Sequence, residues 1–187
     1  ATVAEINSHH TNAVFLPEAT LPEKLVATTD IEKAVHDADV IVMGIPSQNF
    51  RDVLLEVKKH IRAWVPVISL TKGLELDTSM RMTQIINEVL PGHPVGVLTG
   101  PNLAREIMAG QAAASVIAME DAIIVQELQT VFKSGLFRIY TNTDVIGCEL
   151  GGVLKNIIAI AVGMGDGQGA GGQLTWGFVH CQLLVNR

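Results

Sequence analysis

A lysine lies inside one of the most apolar stretches of the sequence. The segment ELGGVLKNIIAIAVGMGDG, residues 149–167, is dominated by isoleucine, valine, alanine and glycine, yet it contains Lys155. An ammonium group taken out of water is unstable unless it is paired, and its pKa then commonly falls. Lys155 is therefore a candidate for acid or base chemistry. Two alternatives stay open: its side chain reaches water, or it pairs with Glu149 or another carboxylate.

The neighbours of Lys155 at helical spacing are small or apolar. Gly151 and Gly152 precede it by one turn, and Ile158 and Ala159 follow it. Each glycine costs a helix about 1 kcal/mol relative to alanine. Close approach of a cofactor or of neighbouring backbone to this face would offset that cost.

Further candidates follow two predicted strands directly. Lys72 follows a strand predicted at 65–71. Gly100 is the last residue of a strand predicted at 94–100, and Asn102 comes two residues later. Ligands of open α/β sheets bind at the carboxyl ends of the strands, where a lysine can hold a phosphate or an oxyanion and a glycine admits a ligand close to the backbone. The alternatives are a solvated loop lysine and an ordinary tight turn.

An alternation of strands and helices would position these residues. The sequence predicts strands at 38–45, 65–71, 94–100, 113–119 and 137–142, and helices at 48–61, 80–90, 102–110 and 121–134, with a long helix from near Asp144. Repeated β–α units predict an α/β fold with a doubly wound, mostly parallel, Rossmann-like sheet.

Some local details of these elements are also predicted. The β-branched run at 38–45 is typical of a strand covered on both faces. Thr78 or Ser79 is expected to cap the helix at 80–90, and Pro101 to lie in the first turn of the helix that follows it.

Composition excludes several classes of function. The chain has 187 residues, of which 48% are hydrophobic, and a formal net charge of -6. This balance argues against a nucleic-acid or anionic membrane surface, so a bound phosphate would belong to a small ligand. Cys148 and Cys181 lack metal-ligand spacing and suggest packing roles in a reducing cytoplasm. The longest apolar run is too short to span a bilayer. The first residues lack the pattern of a secretory signal and an initiator Met, so we expect that the beginning of the chain has been cut.

Four segments together resemble a known family. They are EINSHHTNAVFLPEATLPEKLVATTDIEKAVHDADVIVMGIPSQNFRDVL, SLTKGLE, TGPNLAREIMAG and FRIYTNTDVIGCELGGVLKNIIAIAVGMGDGQG, which occur in this order and cover about Glu5 to Gly171. The combination of TKGLE, GPN and ELGGVLKN resembles the bacterial NAD(P)-dependent sn-glycerol-3-phosphate dehydrogenases. The resemblance implies a dinucleotide-binding domain at 1–142 and, at 143–187, the first helix of a truncated all-α substrate domain with an unmatched tail.

The resemblance also implies roles for particular residues. Lys155 would accept the proton when glycerol 3-phosphate is oxidised and donate it when dihydroxyacetone phosphate is reduced. Lys72 would contact both the substrate and NAD or NADP. Gly100 and Asn102 would contact the substrate, although Asn102 stands where bacterial members commonly have serine. Ala104 would touch the cofactor.

The implied chemistry fits a lysine in an apolar helix. Negative charge builds on the C2 oxygen as the carbonyl is reduced, and partial burial of Lys155 would bring its pKa toward the working pH. The implied enzyme would be a cytoplasmic oxidoreductase, commonly dimeric, that feeds glycerophospholipid synthesis.

The sequence also departs from that family. The glycine-rich turn that binds the pyrophosphate would lie upstream of Ala1, so we expect an incomplete chain that lacks activity by itself. Alternatives are another dehydrogenase of the β-hydroxyacid or 6-phosphogluconate type, and a non-catalytic truncated binding module.

Overall fold

The computed structural model describes residues 2–169, so Cys181 and the predicted unmatched tail after Gly171 lie outside the described residues. The helices and strands follow one another in the order α1 (Thr2–His9), α2 (Ile31–Val35), β1 (Ile41–Met43), α3 (Phe50–Lys58), β2 (Val67–Ser69), α4 (Met82–Val89), β3 (Val95–Thr99), α5 (Ala104–Met108), β4 (Ala113–Met119), α6 (Ala122–Phe132), β5 (Phe137–Asn142) and α7 (Val145–Gly167).

The five strands form one sheet in the order β1-β2-β3-β4-β5. Neighbouring strands are parallel except β3 and β4, which pair antiparallel with Thr99 opposite Val116. The predicted α/β fold with a mostly parallel, Rossmann-like sheet is confirmed. How the chain divides into domains stays a prediction.

Helices pack on both faces of this sheet, because successive residues of a strand point to opposite faces and both sets include apolar side chains. On one face, Val67 of β2 packs in a core with Phe50 and Leu54 of α3 and Ile85 of α4. On the opposite face, the neighbouring Ile68 packs with residues of β4, α6 and β5.

α7 packs on the same face as α4, against β3 and β4. Its first turn contributes Val145 and Cys148 to a small core with Val97 and Ala118. Asp144 caps the helix, because its Oδ1 accepts a hydrogen bond from the Gly147 amide at 2.8 Å. This packing brings the glycine-rich start of α7, and with it Lys155, over the carboxyl end of β3.

The first strand differs from its prediction. β1 is three residues long, and Val42, at its centre, is 42% exposed while both neighbours are buried. The prediction of a strand covered on both faces is therefore wrong for residues 2–169. In that part of the chain, the helices that pack on β1 lie on its other face, where Ile41 and Met43 join the core of α3 and α4.

Two helix starts also differ from their predictions. α4 is capped by Arg81, whose amide donates to Gln84 Oε1, because Thr78 instead bonds to Glu75 in the preceding loop. α5 begins at Ala104, so Pro101 lies before the helix and not in its first turn.

α7 is bent by 41° between Val145–Lys155 and Ile157–Gly167. Among the described residues, no single helix is both long enough and apolar enough to cross a bilayer. The two halves of α7 have sufficient length and apolar composition only when they are taken together as a bent pair.

Candidate active site

A cavity of ≈ 450 Å³ lies between α7 and the edge of the sheet where β3 ends. Lys72, Gly100 and Lys155 all line it, so the fold brings together three of the five predicted site residues. They come from three separate parts of the chain: the loop after β2, the end of β3 and the middle of α7. The rule that ligand groups gather at strand ends accounts for the first two.

Lys72 extends from the end of β2 toward the end of β3. Its Nζ donates a hydrogen bond to the carbonyl oxygen of Gly100 at 3.2 Å. Partial burial lowers the pKa of Lys72, and the positive charge of Lys155 lowers it further. The cavity thus contains two cationic side chains that are close enough to repel one another.

Lys155 is half-buried in the middle of α7. It forms no ion pair with any residue from 2 to 169. The alternative in which it pairs with Glu149 is wrong, because that carboxylate is bonded elsewhere. Lys155 therefore faces the cavity with its charge uncompensated by the described part of the chain.

Glu149 is buried against the start of α4. Its carboxylate accepts hydrogen bonds from Arg81 Nη1 at 2.8 Å, from the Thr83 amide at 3.0 Å and from Thr83 Oγ1 at 2.5 Å. The side chain of Glu149 is only 1% exposed. These three bonds fasten the first turns of α7 to the amino end of α4.

Gly152 of α7 lies close to the end of β3. A Cβ built on Gly152 would lie 2.8 Å from Thr99 Oγ1 and 3.9 Å from Lys72 Cγ. The structure therefore shows a close approach at Gly152, and the neighbour is the side chain of Thr99 at the end of β3.

Gly100 is just as crowded. A Cβ there would lie 2.7 Å from the Ala114 carbonyl oxygen, 2.7 Å from Asn102 Nδ2 and 2.8 Å from Ser115 Oγ. A residue without a side chain is required at this turn, and Gly100 contributes only backbone atoms to the cavity wall.

The other two predicted site residues lie outside the cavity wall. Asn102 Nδ2 donates a short hydrogen bond to Ser115 Oγ, and Ser115 itself lines the cavity. Ala104 is exposed at the start of α5. Substrate contact by Asn102 and cofactor contact by Ala104 stay predictions.

The residues after β1 support the loop that carries Lys72. Gly73 has a φ of 131°, and a Cβ there would lie 2.9 Å from Ser47 Oγ. Gln48 Nε2 donates to the Leu74 carbonyl at 3.1 Å, and the Leu76 amide donates to Gln48 Oε1 at 3.1 Å. The carboxyl ends of the parallel strands β1, β2 and β3 therefore lie along one edge.

An ion pair fixes the same loop to α3. Arg51 Nε and Nη2 donate to the two oxygens of Glu75 at 2.7 and 2.9 Å, and Thr78 Oγ1 donates to Glu75 Oε2 at 2.5 Å. The Arg51 guanidinium and the Thr78 hydroxyl lower the pKa of Glu75 to about 2. Such a bidentate pair is geometrically specific and holds the loop in one position.

Several residues of the cavity were missed by sequence reasoning. The remainder of the wall includes Thr99, Ser115, Tyr140, Asn142 and Cys148. Tyr140 lies opposite Val116 in the β4–β5 pairing, and Asn142 lies opposite Ala118. The strand pattern could show that these side chains alternate, but the pairing that places them beside α7 is non-local.

Comparison with protein families gives two matches. Residues 1–124 match the model of the NAD-dependent glycerol-3-phosphate dehydrogenase N-terminus, and residues 144–181 match the model of its C-terminus. The second match extends past Gly171, where the resemblance in the sequence was expected to end.

Comparison with individual proteins gives the same family. The chain is 69% identical to glycerol-3-phosphate dehydrogenase [NAD(P)+] 2 of Sphingopyxis alaskensis over 91% of its own length and 51% of that protein. It is similar in structure to glycerol-3-phosphate dehydrogenase from Coxiella burnetii, with a TM-score of 0.86 and 30% identity over 100% of this chain and 57% of the other. The Plasmodium falciparum enzyme has a TM-score of 0.89 and 28% identity over 98% and 53%.

The chain thus spans about half the length of the curated relatives it matches, for example 51% and 50% of two of them. Within that half, the family models cover strands β1 to β4, the segments that contain Lys72 and Lys155, and the whole of α7. The chain belongs to the NAD-dependent glycerol-3-phosphate dehydrogenase family.

Proposed function

We propose that this chain provides the substrate-binding and proton-transfer residues of an oxidoreductase that interconverts glycerol 3-phosphate and dihydroxyacetone phosphate with NAD or NADP. The observation that carries the proposal is the pair of lysines, Lys72 and Lys155, in one cavity without a neutralising carboxylate among residues 2–169. Two like charges facing one space are unfavourable until an anion enters it.

The charge of the cavity suits a small phosphorylated substrate. An anion between the two ammonium groups would offset the repulsion that lowers the pKa of Lys72. Since the cavity is partly closed off from water, this attraction is stronger than it would be on an open surface. The turn at Gly100 has no room for a side chain, so the substrate would contact the backbone of this residue. Asn102, two residues further along the chain, would also contact the substrate.

Lys155 is proposed as the proton donor and acceptor. When the carbonyl is reduced, negative charge develops on the C2 oxygen, and a lysine held beside it can deliver a proton. In the oxidation direction the same lysine, in its neutral form, would take the hydroxyl proton. Lys72, which lies at the strand edge, would hold the substrate and contact the dinucleotide.

The carboxyl edge of β1, β2 and β3 fits a dinucleotide. Gly100 lines the cavity there, and Lys72 brings a cation to the same edge. Ala104 is proposed to contact the cofactor at the start of α5. When bound, the nicotinamide supplies or removes the hydride at C2.

We also propose that the whole protein is a homodimer in the cytoplasm, linked to glycerophospholipid synthesis. The thiol of Cys148 is buried and forms no disulfide with any residue from 2 to 169, which is consistent with a reducing compartment. Sedimentation of the whole protein would test the dimer.

The test of function needs the remainder of the protein. We would place this chain in the corresponding half of the Sphingopyxis alaskensis relative and follow NADH and NADPH oxidation with dihydroxyacetone phosphate, beside the chain alone. The chimera should turn over the substrate, and Lys155→Ala should slow it by about 10²–10⁴-fold, the range for a lost general acid.

The control is Lys58→Ala, which removes an exposed lysine of α3 that does not line the cavity. Its activity should equal that of the parent. If the chimera reduces a non-phosphorylated keto acid but leaves dihydroxyacetone phosphate untouched, the proposed substrate is wrong. If Lys155→Ala is as fast as Lys58→Ala, the proposed proton donor is wrong.

A further inference from the structure

We propose that Glu149 is a positioning residue, which sets the height and rotation of α7 and thereby the place of the Lys155 ammonium group in the cavity. The inference rests on the proposed function, because it gives Lys155 an anion to meet. It assigns no contact with the substrate to Glu149 itself.

The bonds of Glu149 reach across to a different helix. Both oxygens are used: Oε1 accepts from the Thr83 amide, and Oε2 accepts from Thr83 Oγ1 and from Arg81 Nη1. Thr83 is 3% exposed and the Arg81 side chain 15% exposed, so this contact is largely removed from water. A carboxylate at the amino end of α4 is also favoured by the unpaired amides of its first turn.

Three points along α7 then define where Lys155 lies. In a regular helix, residue 152 follows residue 149 by about 4.5 Å along the axis, and residue 155 follows by about 9 Å. Glu149 is bonded to α4, and Gly152 is in close contact with Thr99 of β3. Lys155 lies one turn further along α7, so these two contacts fix its position.

A small rotation of α7 would matter at the end of a long side chain. If Nζ lies roughly 8 Å from the helix axis, a turn of about 20° moves it by about 3 Å, more than the tolerance of a hydrogen bond. Gly152 limits how closely α7 can approach β3. The directed bonds of Glu149 are what would resist rotation.

The same bonds explain why Glu149 is not the counter-ion of Lys155. Its carboxylate is occupied by Arg81 and Thr83, and Lys155 is not among its partners. Replacing Glu149 would therefore remove its hydrogen bonds between α7 and α4 without removing a counter-ion from Lys72 or Lys155. Weaker protection of Lys155 by a bound anion would then report its position.

The experiment measures acetylation of individual lysines in this chain by peptide mass spectrometry, with inorganic phosphate or glycerol 3-phosphate as the probe. In the unaltered chain, each probe at about ten times its Kd should slow the labelling of Lys72 and Lys155 by about tenfold, while exposed Lys58 is unaffected. In Glu149→Gln, with the probe raised until Lys72 is protected as before, Lys155 should lose most of its protection.

Two further variants separate positioning from general loss of stability. Thr83→Val removes one of the three bonds at nearly constant volume and should give an intermediate loss at Lys155. Ile86→Val loosens the buried packing of α4 without touching these bonds, and it should leave the protection of both lysines intact.

The outcomes are distinct for the two proposals. If Lys155 in Glu149→Gln stays as protected as in the unaltered chain at matched protection of Lys72, Glu149 does not position it and only this inference is overturned. If Ile86→Val loses as much as Glu149→Gln, the effect is one of stability and the inference is also overturned. If neither probe protects either lysine of the unaltered chain, the proposed function fails and the inference with it.

Discussion

Replacing Gly152 with alanine should strain the contact between α7 and β3. The new Cβ would lie 2.8 Å from Thr99 Oγ1, closer than real Cβ atoms approach other atoms. Alanine favours a helix over glycine by about 1 kcal/mol, whereas overpacking typically costs about 1–3 kcal/mol. We therefore expect a net loss in the free energy of unfolding of up to about 2 kcal/mol.

A double-mutant cycle isolates the steric part of that change. In a Thr99→Ala background the atom that is too close is gone, and the remaining contacts, with Lys72 Cγ and with the Cβ of residue 99, are an ordinary 3.9 Å. There Gly152→Ala should stabilise the chain by as much as about 1 kcal/mol, so the coupling energy between the two positions should be about 1–3 kcal/mol.

Urea unfolding, followed by circular dichroism, measures each corner of the cycle. Gly163→Ala is the matched control, since a Cβ on that glycine of α7 meets nothing within 4 Å in the described part of the chain, and it should be stabilising in both backgrounds. A coupling energy near zero between positions 152 and 99 would refute the close approach of α7 to β3.

Two more predictions concern the loop of Lys72 and the turn of Gly100. The pKa of Glu75 lies at about 2 in the folded chain, below its usual 4.5, so its stabilising effect is complete above pH 4.5 and disappears as the pH falls toward 2. Glu75→Gln should remove this part of the pH dependence of the urea midpoint, and Arg51→Gln should reduce it, because the Thr78 hydroxyl still bonds to Glu75. An unchanged pH profile in both would contradict the ion pair. Gly100→Ala places a Cβ 2.7 Å from the carbonyl oxygen of Ala114, which as backbone cannot easily yield, so unfolding should become easier by about 1–3 kcal/mol. A urea midpoint equal to that of the parent would show that the turn has room for a side chain.

Much of the fold could be predicted because it rests on short-range patterns. The strands at 113–119 and 137–142 and the start of the long helix near Asp144 agree with β4, β5 and α7. Apolar runs bounded by turns, and helix-capping residues, are properties of a few neighbouring residues. The first strand failed on the same ground, since a β-branched run cannot tell which of its faces another element will cover.

The partner of a charged side chain was not predictable in the same way. Sequence spacing offers Glu149 as a counter-ion of Lys155, six residues away, but Glu149 bonds to Arg81 and Thr83, more than sixty residues away. The choice depends on which helix lies beside α7, and the order of strands in the sheet decides that. The spacing of residues along one helix gives no information about which helix lies beside it.

The sequence by itself therefore determined which residues have the chemistry: a lysine in an apolar helix, and a lysine and a glycine at strand ends. Local composition and the edge rule for parallel sheets are enough for that. Only the tertiary structure decided that Lys72 and Lys155 share one cavity, that Gly152 must lack a side chain, and that Glu149 is bonded to α4. Each of these depends on the antiparallel pairing of β3 with β4 and on the packing of α7 across them, contacts that no short segment encodes.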